Sequence, residues 1–232
     1  MLVVPAPGPD VLVLLPGFMI AASAYTALAE SVADAGSTVI VPQLYRRGFG
    51  ALAGRAPVAA EAAAAAALVR RVAADKPGAR VHLGGHSRGG QAAWRAAGQL
   101  AGGGLPASVV LLDPVDGQGR RPSGPTSTAV PAAFTVPTLV VGAGVGGRCA
   151  PEGINHWQFA RATPAARHLL VEGLGHADLL AGRGRELGRR LCGGGDDPDA
   201  ARAVLAALIN AWITAVAASA PLPTVPGTAV LR

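Results

Sequence analysis

The residues best suited to chemistry lie at Gly85-His86-Ser87-Arg88-Gly89, between the apolar run Val81–Leu83 and a helical stretch that continues through Trp94. Glycines on either side of a serine permit a sharp strand-to-helix turn that lifts the hydroxyl into the open. The first helical turn behind it favours negative charge on an attacking oxygen. A lone G-x-S-x-G arises often by chance in a chain with 32 glycines, so it is the flanking strand and helix that make Ser87 a candidate nucleophile.

A serine hydroxyl needs a base, and in nucleophile-elbow enzymes the acid and then the base follow the serine in chain order. Three histidines follow Ser87, at His156, His168 and His176. His168 falls within a strand-like run, and Asn155-His156-Trp157 reads as a helix start. His176 ends the loop Gly173-Leu174-Gly175-His176 after the last such run, where a base can reach the serine; His156 is the reserve. For the acid, the loop after Thr138–Val141 holds no carboxylate before Glu152. Asp113 closes a strand and is followed by Pro114, which restricts its exit. Asp113 is therefore favoured over Asp116, Glu152 and Asp178. The plainer readings are a turn residue for Asp116 and a helix cap for Asp178.

Acyl transfer also requires N–H donors preorganised for a tetrahedral oxyanion, each typically worth 10²- to 10³-fold in rate. The backbone N–H of Arg88 is the expected first donor. The second should come from Pro16-Gly17-Phe18-Met19, with Phe18 preferred and Met19 next. Met19, Ile20 and Tyr25, together with Phe18, are apolar for a loop and are expected to form a wall for an apolar ligand, although ordinary core packing would also explain them.

These residues need a scaffold, and the chain supplies alternating short apolar runs and longer alanine-rich segments. Strands are predicted at Val11–Leu15, Thr38–Val41, Val81–Leu83, Ser108–Leu112, Thr138–Val141 and His168–Val171, with a further one starting at Leu2. Their continuous apolar character suits strands buried on both faces. Helices are predicted at Ala22–Ala35, Val58–Ala74, Gly89–Leu100 and Asp199–Ala218. This is the α/β pattern of an α/β-hydrolase fold: a mostly parallel central sheet with helices on both faces, in a single domain spanning 1–232. Gly117–Pro131 is rich in Gly, Pro and Ser and reads as a surface loop at a position where such enzymes insert lids.

Composition narrows the partners. Half the residues are hydrophobic and 15% are charged, which excludes a disordered chain. The formal charge of +6 rests on scattered arginines and one lysine, Lys76, with no interleaved aromatics. Nucleic-acid binding is therefore not expected, while peripheral contact with an anionic membrane surface stays open. Ala203–Ala220 is nearly long enough to span a membrane, but Asn210 interrupts it and no basic flank anchors it. A buried helix started by Asp196, Asp197, Pro198 and Asp199 is expected instead. Cys149 and Cys192 form either one bridge or two packed thiols. No cluster of His, Cys or carboxylates has metal-ligand spacing, and no cofactor is expected. The sequence assigns no oligomeric state.

Several blocks together resemble one family. Gly85-His86-Ser87-Arg88-Gly89-Gly90, Leu112-Asp113-Pro114-Val115-Asp116-Gly117, Pro42-Gln43-Leu44-Tyr45, Cys149 through His156 and Gly175-His176-Ala177-Asp178-Leu179-Leu180 are similar to chlorophyllase segments in the same order. The chain departs from the pattern at Pro16, where that family usually has histidine, and at Gln91, where it usually has lysine. The resemblance implies an apolar ester substrate, chlorophyll, cleaved to chlorophyllide and phytol by Ser87, Asp113 and His176. It also implies a setting in the chloroplast or at the periphery of a photosynthetic membrane. The magnesium of chlorophyll would belong to the substrate. Two other readings use the same residues: a general carboxylesterase or cutinase-like lipase, and a non-catalytic binder of apolar ligands on a hydrolase scaffold.

Overall fold

The computed structural model describes residues 1–44, 57–117 and 124–232. Eight strands form one sheet in the order β1-β3-β2-β4-β5-β6-β7-β8. They are β1 (Leu2–Val4), β2 (Asp10–Leu15), β3 (Thr38–Val41), β4 (Arg80–His86), β5 (Ser108–Leu112), β6 (Thr138–Ala143), β7 (Arg167–Val171) and β8 (Thr228–Val230). The central strands β3, β2, β4, β5, β6 and β7 run parallel, and β1 and β8 pair antiparallel at the two edges. The family of strands predicted from apolar runs is therefore present, and the sheet gains β8, which is too short to show a pattern.

Side-chain alternation divides the core into two layers. Leu12 and Leu14 of β2 pack with α1 (Thr26–Ala33) and α6 (Pro198–Ala217), whereas Val11, Val13 and Leu15 pack with α2 (Val58–Asp75), α3 (Arg88–Leu100) and α4 (His156–Ala162). In α2 the buried positions Val58, Glu61, Ala62, Ala65, Ala66, Val69 and Val72 recur at helical spacing, so the alanine-rich run is an amphipathic cover helix. A short 3₁₀ turn, Ala22–Tyr25, precedes α1 within the single helix predicted there. One further helix, α5 (Gly182–Cys192), has no counterpart among the predicted elements.

The helix α6 is long and apolar enough by composition to cross a membrane, yet Leu205, Leu208, Ile209 and Trp212 belong to the core. It starts as the sequence suggests: Asp197 accepts from the Ala200 N–H at 2.9 Å, with Pro198 in the first turn. Trp212 Nε1 donates to Ser108 Oγ at 3.1 Å, and Ser108 in turn meets His82 Nδ1 at 2.7 Å. His82 Nε2 reaches Asp10, which also takes two bonds from Arg80 at 2.7 Å. This polar chain closes the amino end of the sheet and leaves the carboxyl end for the site.

Cys149 and Cys192 are joined, which settles the pairing that the sequence left open. The bridge ties the loop after β6 to the last residue of α5. Closing 43 residues of sequence separation restricts the unfolded chain, so reduction or Cys192→Ser should lower the unfolding free energy by about 2–4 kcal/mol. Urea melts with and without reductant measure this; a change below about 0.5 kcal/mol, the range of a neutral surface substitution, would mean that the bridge constrains little.

Candidate active site

The site is assembled where the parallel strands end. Ser87 lies between β4 and α3 with φ 53 and ψ −123, a conformation that costs a non-glycine residue on the order of 1–3 kcal/mol. Close packing makes the turn possible: a Cβ on Gly85 would lie 2.2 Å from the Gly89 carbonyl oxygen, and one on Gly89 would lie 2.3 Å from that of Leu15. Only glycine fits either position. The Ser87 N–H donates to the Leu112 carbonyl at 3.2 Å, and the Ser87 carbonyl accepts from Gly90 and from Val115. The elbow is thus bonded to the end of β5.

Asp113 sits at that end. It is buried, holds φ 38, and donates its N–H to the Val141 carbonyl at 2.7 Å. Its Oδ2 lies 2.6 Å from His176 Nδ1, and its Oδ1 accepts from the Ala143 N–H at 3.1 Å. Burial would raise the Asp113 pKa, but the His176 bond and charge, with the Ala143 N–H, outweigh it and hold the carboxyl below its ordinary value. An ionised carboxylate only accepts, so His176 carries its hydrogen on Nδ1 and presents Nε2 as a lone pair. That is the tautomer a general base requires.

His176 is held from behind as well. His86 Nε2 lies 2.9 Å from the His176 carbonyl oxygen, and the two rings are 4.8 Å apart. Asp178 accepts from Gly175 N–H and Gly195 N–H, each at 2.7 Å, and from Arg189 of α5. It therefore folds the base loop onto α5 and does not cap a helix, contrary to the plain reading of the sequence. Of the remaining candidates, His156, His168 and Asp116 have other hydrogen-bond partners, although the charge of Asp113 is felt by His156. His156 begins α4, packs on Gly142 and meets His168 Nε2 through Nδ1 at 2.8 Å. Burial, reinforced by His156 and Arg232, pushes His168 down to about 4. Glu152 is exposed.

Asp116 is fully buried and is not a simple turn residue. Its Oδ1 accepts from Gln91 Nε2 at 2.6 Å and Thr126 Oγ1 at 2.9 Å; its Oδ2 accepts from the Thr128 N–H at 2.7 Å and Thr128 Oγ1 at 2.6 Å. The Ser127 N–H reaches both oxygens at 2.9 Å. Burial would raise its pKa, but these bonds together lower it. The described part of the predicted surface loop is thereby fastened to α3, and Ser127 is 4% exposed.

On the other side of the elbow, Phe18 is partly buried, Met19 is 45% exposed with φ 59, and Ile20 packs partly against the core. Tyr25 departs from the expected wall: it is fully buried, and its hydroxyl accepts from the Gly17 N–H at 2.7 Å, so it packs in the core beneath the loop. Arg88 places its guanidinium on Glu61 at 2.9 Å and 5.9 Å from the Phe18 ring centroid. Glu61 was not singled out from the sequence, although a lone carboxylate in an alanine-rich cover helix must find a partner if it is buried. Tyr45, in one of the resembling blocks, lies outside the described residues. Among the described residues, no group of three or more His, Cys, Asp or Glu side chains is placed to hold a metal ion.

A partly exposed serine at the strand ends that also carry an oriented imidazole can attack an electrophilic carbonyl once the two are brought together. Ferulic acid esterase from Streptomyces cinnamoneus shares the fold, with a TM-score of 0.66 at 21% identity over 99% of this chain and 75% of that one. The α/β-hydrolase architecture follows. Chlorophyllase-2 of Arabidopsis thaliana is 36% identical over 115 residues, 42% of this chain and 36% of that protein. Chlorophyllase-1, chloroplastic, of Citrus unshiu is 29% identical over 187 residues, 74% of this chain and 55% of that protein. The aligned part thus spans from about a third to about half of these relatives' length. Residues 6–219 match the family model described as Chlorophyllase, and the chain belongs to the chlorophyllase family.

Proposed function

We propose that this chain is a serine carboxylic-ester hydrolase that cleaves the phytyl ester of chlorophyll to chlorophyllide and phytol. The observation that carries the reading is the buried imidazole–carboxylate pair of His176 and Asp113, joined at 2.6 Å, with Asp113 following the Leu112 carbonyl to which the positive-φ Ser87 donates its N–H. Family membership selects the substrate class.

Ser87 Oγ attacks the ester carbonyl carbon while its proton passes to His176 Nε2. Asp113 stays ionised and stabilises the imidazolium. The carbonyl electron pair moves onto oxygen, where the backbone N–H groups of Arg88 and Phe18, or Met19 in place of Phe18, donate to it. The guanidinium of Arg88 is engaged by Glu61, so this role belongs to its backbone. Collapse breaks the bond to the phytyl oxygen, which leaves with the proton from His176. Water then releases the acyl group from Ser87 by the same steps. Phe18, Met19 and Ile20 form the apolar wall, and burying six carbon units of the chain at about 0.8 kcal/mol each contributes roughly 5 kcal/mol. This substrate implies work at a photosynthetic membrane surface, and a formal charge of +6 suits peripheral contact with anionic lipid.

The two loop carboxylates have separable roles. Asp113→Asn should lower kcat on the order of 10³- to 10⁴-fold by stabilising the wrong His176 tautomer. Asp116→Asn should leave kcat within a few-fold and instead cost about 1–3 kcal/mol of stability, because an amide cannot accept from all the donors around it. Steady-state kinetics and thermal melts of both variants decide this, and the reverse order of kcat effects would make Asp116 the acid.

Substrate class is tested with chlorophyll in detergent or aqueous acetone. The protein should convert it to a pigment that no longer partitions into hexane, with higher kcat/KM than for short p-nitrophenyl esters, which lack the remote binding energy of the chain. Rapid turnover of short esters or triglycerides with all pigment left in hexane would point to a general esterase or cutinase-like lipase.

A further inference from the structure

Two buried residues outside the proposed triad connect its separate parts. Tyr25 is fully buried and His86 is 2% exposed, and the Tyr25 hydroxyl lies 2.8 Å from His86 Nδ1. The same hydroxyl accepts from the Gly17 N–H at 2.7 Å, and His86 Nε2 lies 2.9 Å from the His176 carbonyl. The direction of each bond follows from chemistry. A carbonyl oxygen only accepts, so His86 carries hydrogen on Nε2. A neutral imidazole then has a lone pair on Nδ1, and Tyr25 donates to it. The tyrosine oxygen is left with lone pairs, one of which meets the Gly17 N–H.

The result is a directional chain from the loop after β2 to the loop after β7, passing through the residue next to the nucleophile. We propose that Tyr25 and His86 are positioning residues that set the oxyanion loop and His176 in register across Ser87. The inference rests on the ester-hydrolase reading for its catalytic consequence. Packing supports it: a Cβ on Gly17 would lie 3.1 Å from His86 Nδ1 and 3.4 Å from Ser87 Cβ, so the oxyanion loop rests on the elbow itself. Burial first, and then the neighbouring His176, push His86 down to about 3, despite the opposing charge of Asp113. The ring is therefore neutral across the working range and does not compete with His176 for the proton of Ser87.

A cavity-filling role alone would depend on ring volume and not on the hydroxyl. Tyr25→Phe keeps the ring and removes the hydroxyl that bonds Gly17 and His86. It should lower kcat for p-nitrophenyl butyrate by about 10- to 100-fold with KM little changed, the effect expected of a sub-ångström to 1 Å misplacement of catalytic groups. His86→Gln can still donate to the His176 carbonyl and accept from Tyr25, and should keep kcat within about tenfold, whereas His86→Leu should lose about 100-fold. A Tyr25→Phe protein with unchanged kcat, or equal losses in the two His86 variants, would overturn the proposal even if their unfolding temperatures fall. A second measurement needs neither turnover nor a variant that keeps its activity. In ¹⁵N-histidine NMR of the wild-type protein at neutral pH, the signals absent from His86→Gln should show a pyrrole-type Nε2 and a pyridine-type Nδ1. The opposite tautomer would break the chain at His176 and refute the proposal. A wild-type protein that hydrolyses no ester would remove the ester-hydrolase reading, while the NMR result would still decide whether the connection exists.

Discussion

The backbone of Ser87 cannot relax without taking the site apart. Its left-handed conformation turns β4 into α3 within one residue, and it persists because the neighbouring chain leaves no alternative path. Gly85 and Gly89 touch backbone to backbone, Gly89 lies against the carbonyl of Leu15, and the Ser87 N–H is held by Leu112. These contacts join β2, β4 and β5, which are neighbours in the sheet. The strain at one residue is therefore supported by buried central strands, where displacement would disturb strands on both sides.

Three buried aspartates then shape the loops around that fixed point. Asp113 orients His176, Asp116 fastens the segment at Thr126–Thr128 to the elbow helix, and Asp178 binds the base loop to α5. Each is surrounded by donors, which is the condition for burying a carboxylate at tolerable cost. Asp113 and Asp116 both titrate below the ordinary carboxylate value despite burial. The division of labour is physical: of these three only Asp113 has an imidazole as its partner, so in the proposed mechanism it is the one that answers a developing positive charge. The disulfide adds a covalent tie in the same region, since α5 carries both Cys192 and Arg189.

The parts of this arrangement that were legible in the sequence are those with strong local signatures. Continuous apolar runs marked the parallel strands, and the elbow was readable because its glycines stand between one such run and a helix. Asp113 could be preferred over Asp116 because it closes a strand before a proline. What stayed hidden depends on tertiary partners. The helix α5 contains Gly182, Gly184 and Gly188 and exposes Leu187 and Leu191, so neither propensity nor an apolar stripe announces it. Asp116 looks like a turn residue because its donors come from α3 and from Thr126–Thr128. Tyr25 shares an apolar stretch with Ile20, but burial gives its hydroxyl an obligation that a wall residue would not have: it must find a partner, and it finds Gly17 and His86.

The central claim is that Ser87 is an activated nucleophile, and covalent labelling tests it without any assumption about substrate. The folded protein is treated with a fluorophosphonate and the adduct is located by peptide mass spectrometry. A single adduct is expected on Ser87, formed by the wild type and absent from Ser87→Ala. No adduct under native conditions, or an adduct on another serine that persists in Ser87→Ala, would contradict it.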